Sequence, residues 1–130
     1  HVVDDPSGTP INKKISAENV FNNIPSWLGL AQASQAITAD ASSQVANVTS
    51  AVTEINATSA TGAISLADGA EGQIKTFINV STSGTNNVVI TPTNLRGGTT
   101  ITLNAEGETV TCLFKNAKWN VIAGNGYVVA

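Results

Sequence analysis

From Thr99 to Phe114 the residues alternate with a period of two, and nothing else in this chain limits its fold as much. Thr100, Thr102 and Asn104 fall on one face, and Ile101, Leu103 and Ala105 on the other. That alternation marks a half-buried strand, because successive side chains leave a strand on opposite sides. Glu106-Gly107-Glu108 interrupts it, with a glycine able to take the positive φ of a tight turn. The pattern then resumes with Val110, Cys112 and Phe114 on one face and Thr109, Thr111 and Leu113 on the other. After the polar turn Lys115-Asn116-Ala117-Lys118, a strand from Trp119 to Ala123 runs into Gly124-Asn125-Gly126. Three strands joined by short turns predict an antiparallel meander.

The same reading extends upstream over residues 63–98. Ile64 and Leu66 alternate, and Ala67 to Gly72 is a glycine-bearing turn. Gln73 to Val80 is a strand with Ile74, Thr76, Ile78 and Val80 on one face and Phe77 on the other. Val88-Val89-Ile90 is a further strand, and Pro92 marks its end. Six or seven short strands at this spacing predict a small antiparallel β-sandwich or barrel-like domain over 63–130.

Residues 26–62 carry a different pattern. Val45, Val48, Val52 and Ile55 lie three, four and three residues apart, and the register extends back through Ala41, Thr38, Ser34, Ala31 and Trp27. This is a heptad pattern, and β-branched residues at both core positions favour three strands. It predicts a helical segment whose seam is the candidate oligomer interface. A helix packed along a globular domain would show the same pattern.

Residues 1–25 suggest a β-hairpin followed by one or two helical turns. Val2-Val3 leads into the turn formers Asp4 to Pro10, Ile11 to Ile15 returns, and Ser16 N-caps a short face carrying Val20 and Phe21. So small a unit is expected to dock on a partner, through Val2, Val3, Ile11, Ile15, Val20 and Phe21. The chain starts at His1 and has no Met, as expected of a processed chain, a truncated one, or part of something longer.

Composition narrows the function. The chain of 130 residues is 5% aromatic and 12% charged, poor in large side chains for a private core, so a core shared between copies is expected. A net charge of −3 without a Lys/Arg cluster argues against nucleic acid. No apolar run is long enough for a membrane helix. The one histidine is His1, so Ser-His and Cys-His schemes lack a base, and zinc lacks clustered ligands. Asp4 and Asp5 match no EF-hand spacing and read as turn carboxylates. Glu106 and Glu108 share a solvated turn, unlike a glycosidase pair facing across a cleft. No catalytic residue, metal or cofactor is expected. Cys112 reads as a buried thiol. The sequons at Asn47, Asn56 and Asn79 are what a chain rich in Asn, Ser and Thr produces by chance. Trp119, expected in the core, and Tyr127 are the candidate ligand contacts.

Two stretches resemble bacteriophage virion proteins. VVDDPSGTPINKKISAENVF looks like a module near the start of phage fibre-like and decoration-like proteins. GQIKTFINV, VVITPTNLRGGTTITL and the run from Trp119 through Gly126 look like the terminal β domain of tail-fibre and head-fibre proteins. The resemblance covers a little over half the chain and brings no catalytic residues. It implies a homotrimer on the virion surface, docked on the major capsid protein or another virion protein, with the β domain outward. The expectation is a non-enzymatic capsid decoration or short head fibre. The alternative is a tail fibre or receptor-binding tip that recognises a host-surface glycan or protein.

Overall fold

The computed structural model describes residues 33–130, together with the strands β1 (Val2–Val3) and β2 (Asn12–Lys13), which pair antiparallel. The remainder of the expected hairpin and its helical turns, with Ile11, Ile15, Val20, Phe21 and Trp27, lies outside the described residues.

Residues 33–130 are mainly β, with ten strands in two sheets. Sheet I holds, in spatial order, β11 (Lys118–Asn125), β10 (Thr109–Lys115), β7 (Ile74–Asn79), β5 (Val52–Ala57) and β3 (Ser34–Ala39). Sheet II holds β12 (Val128–Val129), β9 (Ile101–Leu103), β8 (Asn87–Pro92), β6 (Thr61–Leu66) and β4 (Gln44–Ala46). From β3 to β8 the chain changes sheet at every step. A parallel pair needs a return path, and here the return is a strand of the opposite sheet rather than a helix. β3, β5 and β7 therefore stack in parallel on one side while β4, β6 and β8 stack in parallel on the other. Within these two sheets antiparallel pairing enters only with β9, β10, β11 and β12.

The core lies between the sheets. Sheet I contributes Ile55, Phe77, Val110, Cys112, Phe114 and Trp119, and sheet II contributes Ile64, Leu66, Val88, Ile90, Ile101 and Leu103, all in one buried cluster. The faces expected for β9 and β10 are the buried ones. The expectation of a shared core is corrected: the inward face of β10 is covered by the second sheet of the same chain.

Three further expectations change. The sheets are mixed, not antiparallel. The predicted meander is divided, since β9 belongs to sheet II and β10 to sheet I, so Glu106-Gly107-Glu108 is a crossover in which Gly107 takes φ 83°. And the helical segment is absent over 33–62, where β3, β4 and β5 stand instead. In a strand, residues three apart point to opposite sides, so the supposed seam scatters. Val45 is exposed outside sheet II, Val48 packs on the core from a turn, Val52 lies half-buried outside sheet I, and Ile55 is fully buried between the sheets. Val, Thr, Ser, Asn and Ile are mediocre helix formers. The β-branched ones gain more from a pleated surface.

The β10–β11 hairpin closes through a two-residue loop, Asn116-Ala117, both at positive φ (53° and 56°). That is the turn whose twist matches paired strands and which prefers Asn-Gly. Ala117 bears the left-handed conformation against its Cβ, at about 1–2 kcal/mol. Ala117→Gly relieves that strain but loosens the unfolded chain, by about 0.4–1 kcal/mol. A net gain of about 0.5 kcal/mol is expected, a rise of about 3 °C in Tm. Thermal denaturation checks it, and an unchanged or lower Tm contradicts the strain.

Candidate functional site

Each passage between sheets leaves backbone groups without ladder partners, and interior polar side chains meet them. At one edge of the stack Asn79 and Asn86 are buried and Ser81 is inaccessible. Ser81 Oγ accepts from Ala57 N at 2.7 Å, Asn86 Nδ2 donates to Ala57 O at 2.7 Å, and Asn79 Nδ2 donates to Leu103 O at 3.2 Å. Close approach is part of this corner: a Cβ on Gly62 would lie 2.8 Å from Ala57 Cβ and 3.0 Å from that of Ala39.

At the opposite edge the β4–β5 turn, residues 47–51, is held from several directions. Asn47 N donates to Gln35 Oε1 at 2.9 Å, and Ser50 N donates to Asn47 Oδ1 at 2.7 Å. Gln73 Nε2 donates to Val48 O. Lys75 Nζ donates to Ser50 O at 2.7 Å and to Thr53 Oγ1 at 2.8 Å, and Thr53 in turn donates to Gln35 Oε1 at 3.3 Å. Lys75 is fully buried, with Nζ 5.2 Å from the centroid of the Phe77 ring. Burial disfavours its ammonium form and lowers its pKa from 10.5 to about 8.

The consequence of an inward Lys75 appears on the other side of β7. Lys75, Phe77 and Asn79 point inward, so Ile74, Thr76 and Ile78 face out. Register sets Val52 beside Thr76 and Thr111, Glu54 beside Ile78 and Thr109, and Ile74 beside Leu113. Thr76 and Thr111 hydrogen-bond to each other through their hydroxyls at 3.0 Å. Ile74 is 43% exposed, and Ile122, the extra residue of the irregular step in β11, is 52% exposed. Glu54 is the one charged residue on the outward positions of β5, β7 and β10 up to Leu113. This aliphatic and threonine face is the candidate interaction site.

The aromatic candidates fare differently. Trp119 is wholly buried: its indole N–H donates to Ala67 O at 3.0 Å and its ring meets Phe114 edge-on at 5.1 Å. It therefore cannot touch a ligand as proposed from sequence, and it is the packing residue that a side chain on Gly69 would strike. Tyr127 is half-buried and packed against the core. Among the described residues no three His, Cys, Asp or Glu side chains group as metal ligands, and no helix is long and apolar enough to cross a membrane. Glu106 is exposed, while Glu108 accepts from Asn104 N across the crossover. Glu71 accepts from Ala117 N at 3.0 Å and pairs with Lys115 at 3.1 Å, and the Ala117 N–H, before the lysine, holds its carboxyl below the ordinary value.

Sequence reasoning missed Lys75 and the outward aliphatic row. The signal was present: Lys75 and Phe77 must share a face, opposite to Ile74 and Ile78, so one side of β7 had to mix charge with the core or leave aliphatics in water. No protein-family model and no curated protein matches this chain.

Cys112 sits in the core, its thiol pushed up by burial to about 12. In native protein at pH 8 it is expected to resist a disulfide reagent such as dithiobisnitrobenzoate for hours, and to react stoichiometrically in denaturant. Rapid labelling of the native chain contradicts its placement.

Proposed function

We propose that this chain is a non-enzymatic structural protein of a bacteriophage virion, a homotrimeric capsid-surface decoration or short head fibre docked through its N-terminal module. The phage origin rests on the sequence motifs. The assembly rests on one observation, the outward row of Ile74 and Ile78 on β7, continued by Val52 and Leu113, opposite an inward Lys75 and Asn79. A strand that turns aliphatic side chains outward and buries a lysine gains if its outer face is covered, since apolar area is stabilised at about 25 cal/mol per Å² removed from water. The hydroxyls of Thr76 and Thr111 are already paired with each other, so covering them strands few polar groups. The tail-fibre alternative, in which a tip binds a host glycan, loses the buried Trp119 as an aromatic platform.

Sedimentation equilibrium at micromolar concentration is expected to give three times the 13.3 kDa chain mass. Ile78→Lys places a charge in the covered face and is expected to yield monomers with an unchanged β-rich circular dichroism spectrum. A monomeric wild type overturns the trimer. A trimeric Ile78→Lys moves the interface off this sheet. Gold-labelled antibody on intact particles, marking the head rather than the tail or neither, tests the location.

A further inference from the structure

Among the described residues Lys75 has no counter-ion: its amine meets only neutral oxygens, Ser50 O and Thr53 Oγ1, and the Phe77 ring. Across β10 its register partner is Cys112, a neutral thiol. On β5 the nearest charge is Glu54, which is exposed on the outer side of the sheet. Residues 47–51 of the turn contain no ionisable group, β3 offers the neutral Gln35, and the inward residues of β6, β8 and β9 are apolar.

We infer that Lys75 is a proton-controlled latch on the β4–β5 turn: as an ammonium it favours opening of residues 47–53 to water, and as a neutral amine it seals them. The closed turn offers two acceptors for an ammonium's three donors, and the third N–H has only an aromatic face within reach. A neutral amine keeps both hydrogen bonds without the cost of a desolvated charge. Opening the turn lets water solvate the charge, so it is an opening that protonation drives. Because the closed form holds its proton less tightly than the open one, closure strengthens as pH rises between about 8 and 10.5 and is indifferent to pH below that window. The device sits at the start of the stack, where the turn positions β5 for pairing with β3 and β7.

Rapid-mixing hydrogen exchange, with each amide corrected for its intrinsic rate, reads the latch directly. Between pH 8 and 9.5 protection of the amides of residues 47–53 is expected to climb, approaching about tenfold per pH unit, with no change from pH 6.5 to 7.5. In Lys75→Met the same amides are expected to show no climb. A flat wild-type profile, or an equal climb in Lys75→Met, overturns the latch. Should the variant fail to fold, ¹⁵N-lysine NMR of the wild type decides. A Lys75 Nζ that titrates at about 8 supports the latch, and one that titrates near the ordinary 10.5 overturns it.

Discussion

Two parallel strands cannot be joined by a tight turn, and the architecture follows from how this chain makes its return. It returns through the opposite sheet, so each coil needs two passages between layers. Every passage leaves N–H and C=O groups that no ladder can satisfy, and a buried unpaired group costs about 1–3 kcal/mol. The chain answers with side chains from the following coil. Gln73 and Lys75 on the β7 side reach back to Val48 O and Ser50 O, Asn86 reaches back to Ala57 O, and Trp119 reaches back to Ala67 O. Among the described residues no buried side-chain nitrogen or oxygen is left without a partner. The low charge and the abundance of Asn, Gln, Ser and Thr thus have a structural use: these groups fit inside and bond to the main chain.

Lys75 is where this solution conflicts with ordinary amphipathic design. Its long stem lets one inward residue reach two acceptors in a neighbouring turn, and its charge then has to be tolerated in the core. The strand alternates strictly, so placing Lys75 and Asn79 inward obliges Ile74 and Ile78 to face out. The buried lysine and the exposed aliphatic row are one decision seen from the two sides of a strand. Both sides of β10 are consistent with it: Val110, Cys112 and Phe114 line the core, and Thr109, Thr111 and Leu113 extend the outer row.

How far the sequence could be read depended on whether a signal was local. The alternation of 99–114 reported the strands and their buried faces, and Cys112 and Trp119 could be assigned to the core, because facing depends only on the pleat. Which strand pairs with which does not. A short polar turn such as Glu106-Gly107-Glu108 serves equally as a hairpin or as a passage between sheets. Residues 34–57 misled for a related reason. In two strands separated by a turn, Val45, Val48, Val52 and Ile55 fall at helical intervals although they occupy four different environments. β-Branched content carried the better information there, and spacing the worse. The outer face stayed illegible until register aligned Val52, Thr76 and Thr111, residues 24 and 35 positions apart.

The two ends of the stack are chemically unlike. At one end the chain abandons parallel winding, and β10–β11 and β9–β12 fold back antiparallel over the third coil. Trp119 and the main-chain bonds Trp119 N to Asn94 O and Arg96 N to Trp119 O bind that cap to the loop after β8. Ala130 O accepts from Thr99 N and Thr100 N, which closes sheet II. At the other end β3 and β4 are the edge strands of the two sheets, and the β4–β5 turn is held by Gln35 of β3 and by Gln73 and Lys75 from a later coil. In a stack whose repeats contact only their neighbours, cohesion is a sum of neighbouring interfaces. The capped end is therefore fixed by its own hairpins, whereas the β3–β4 coil depends on the reach of Gln73 and Lys75. A single buried amine consequently has its largest leverage at the β3–β4 end of the stack.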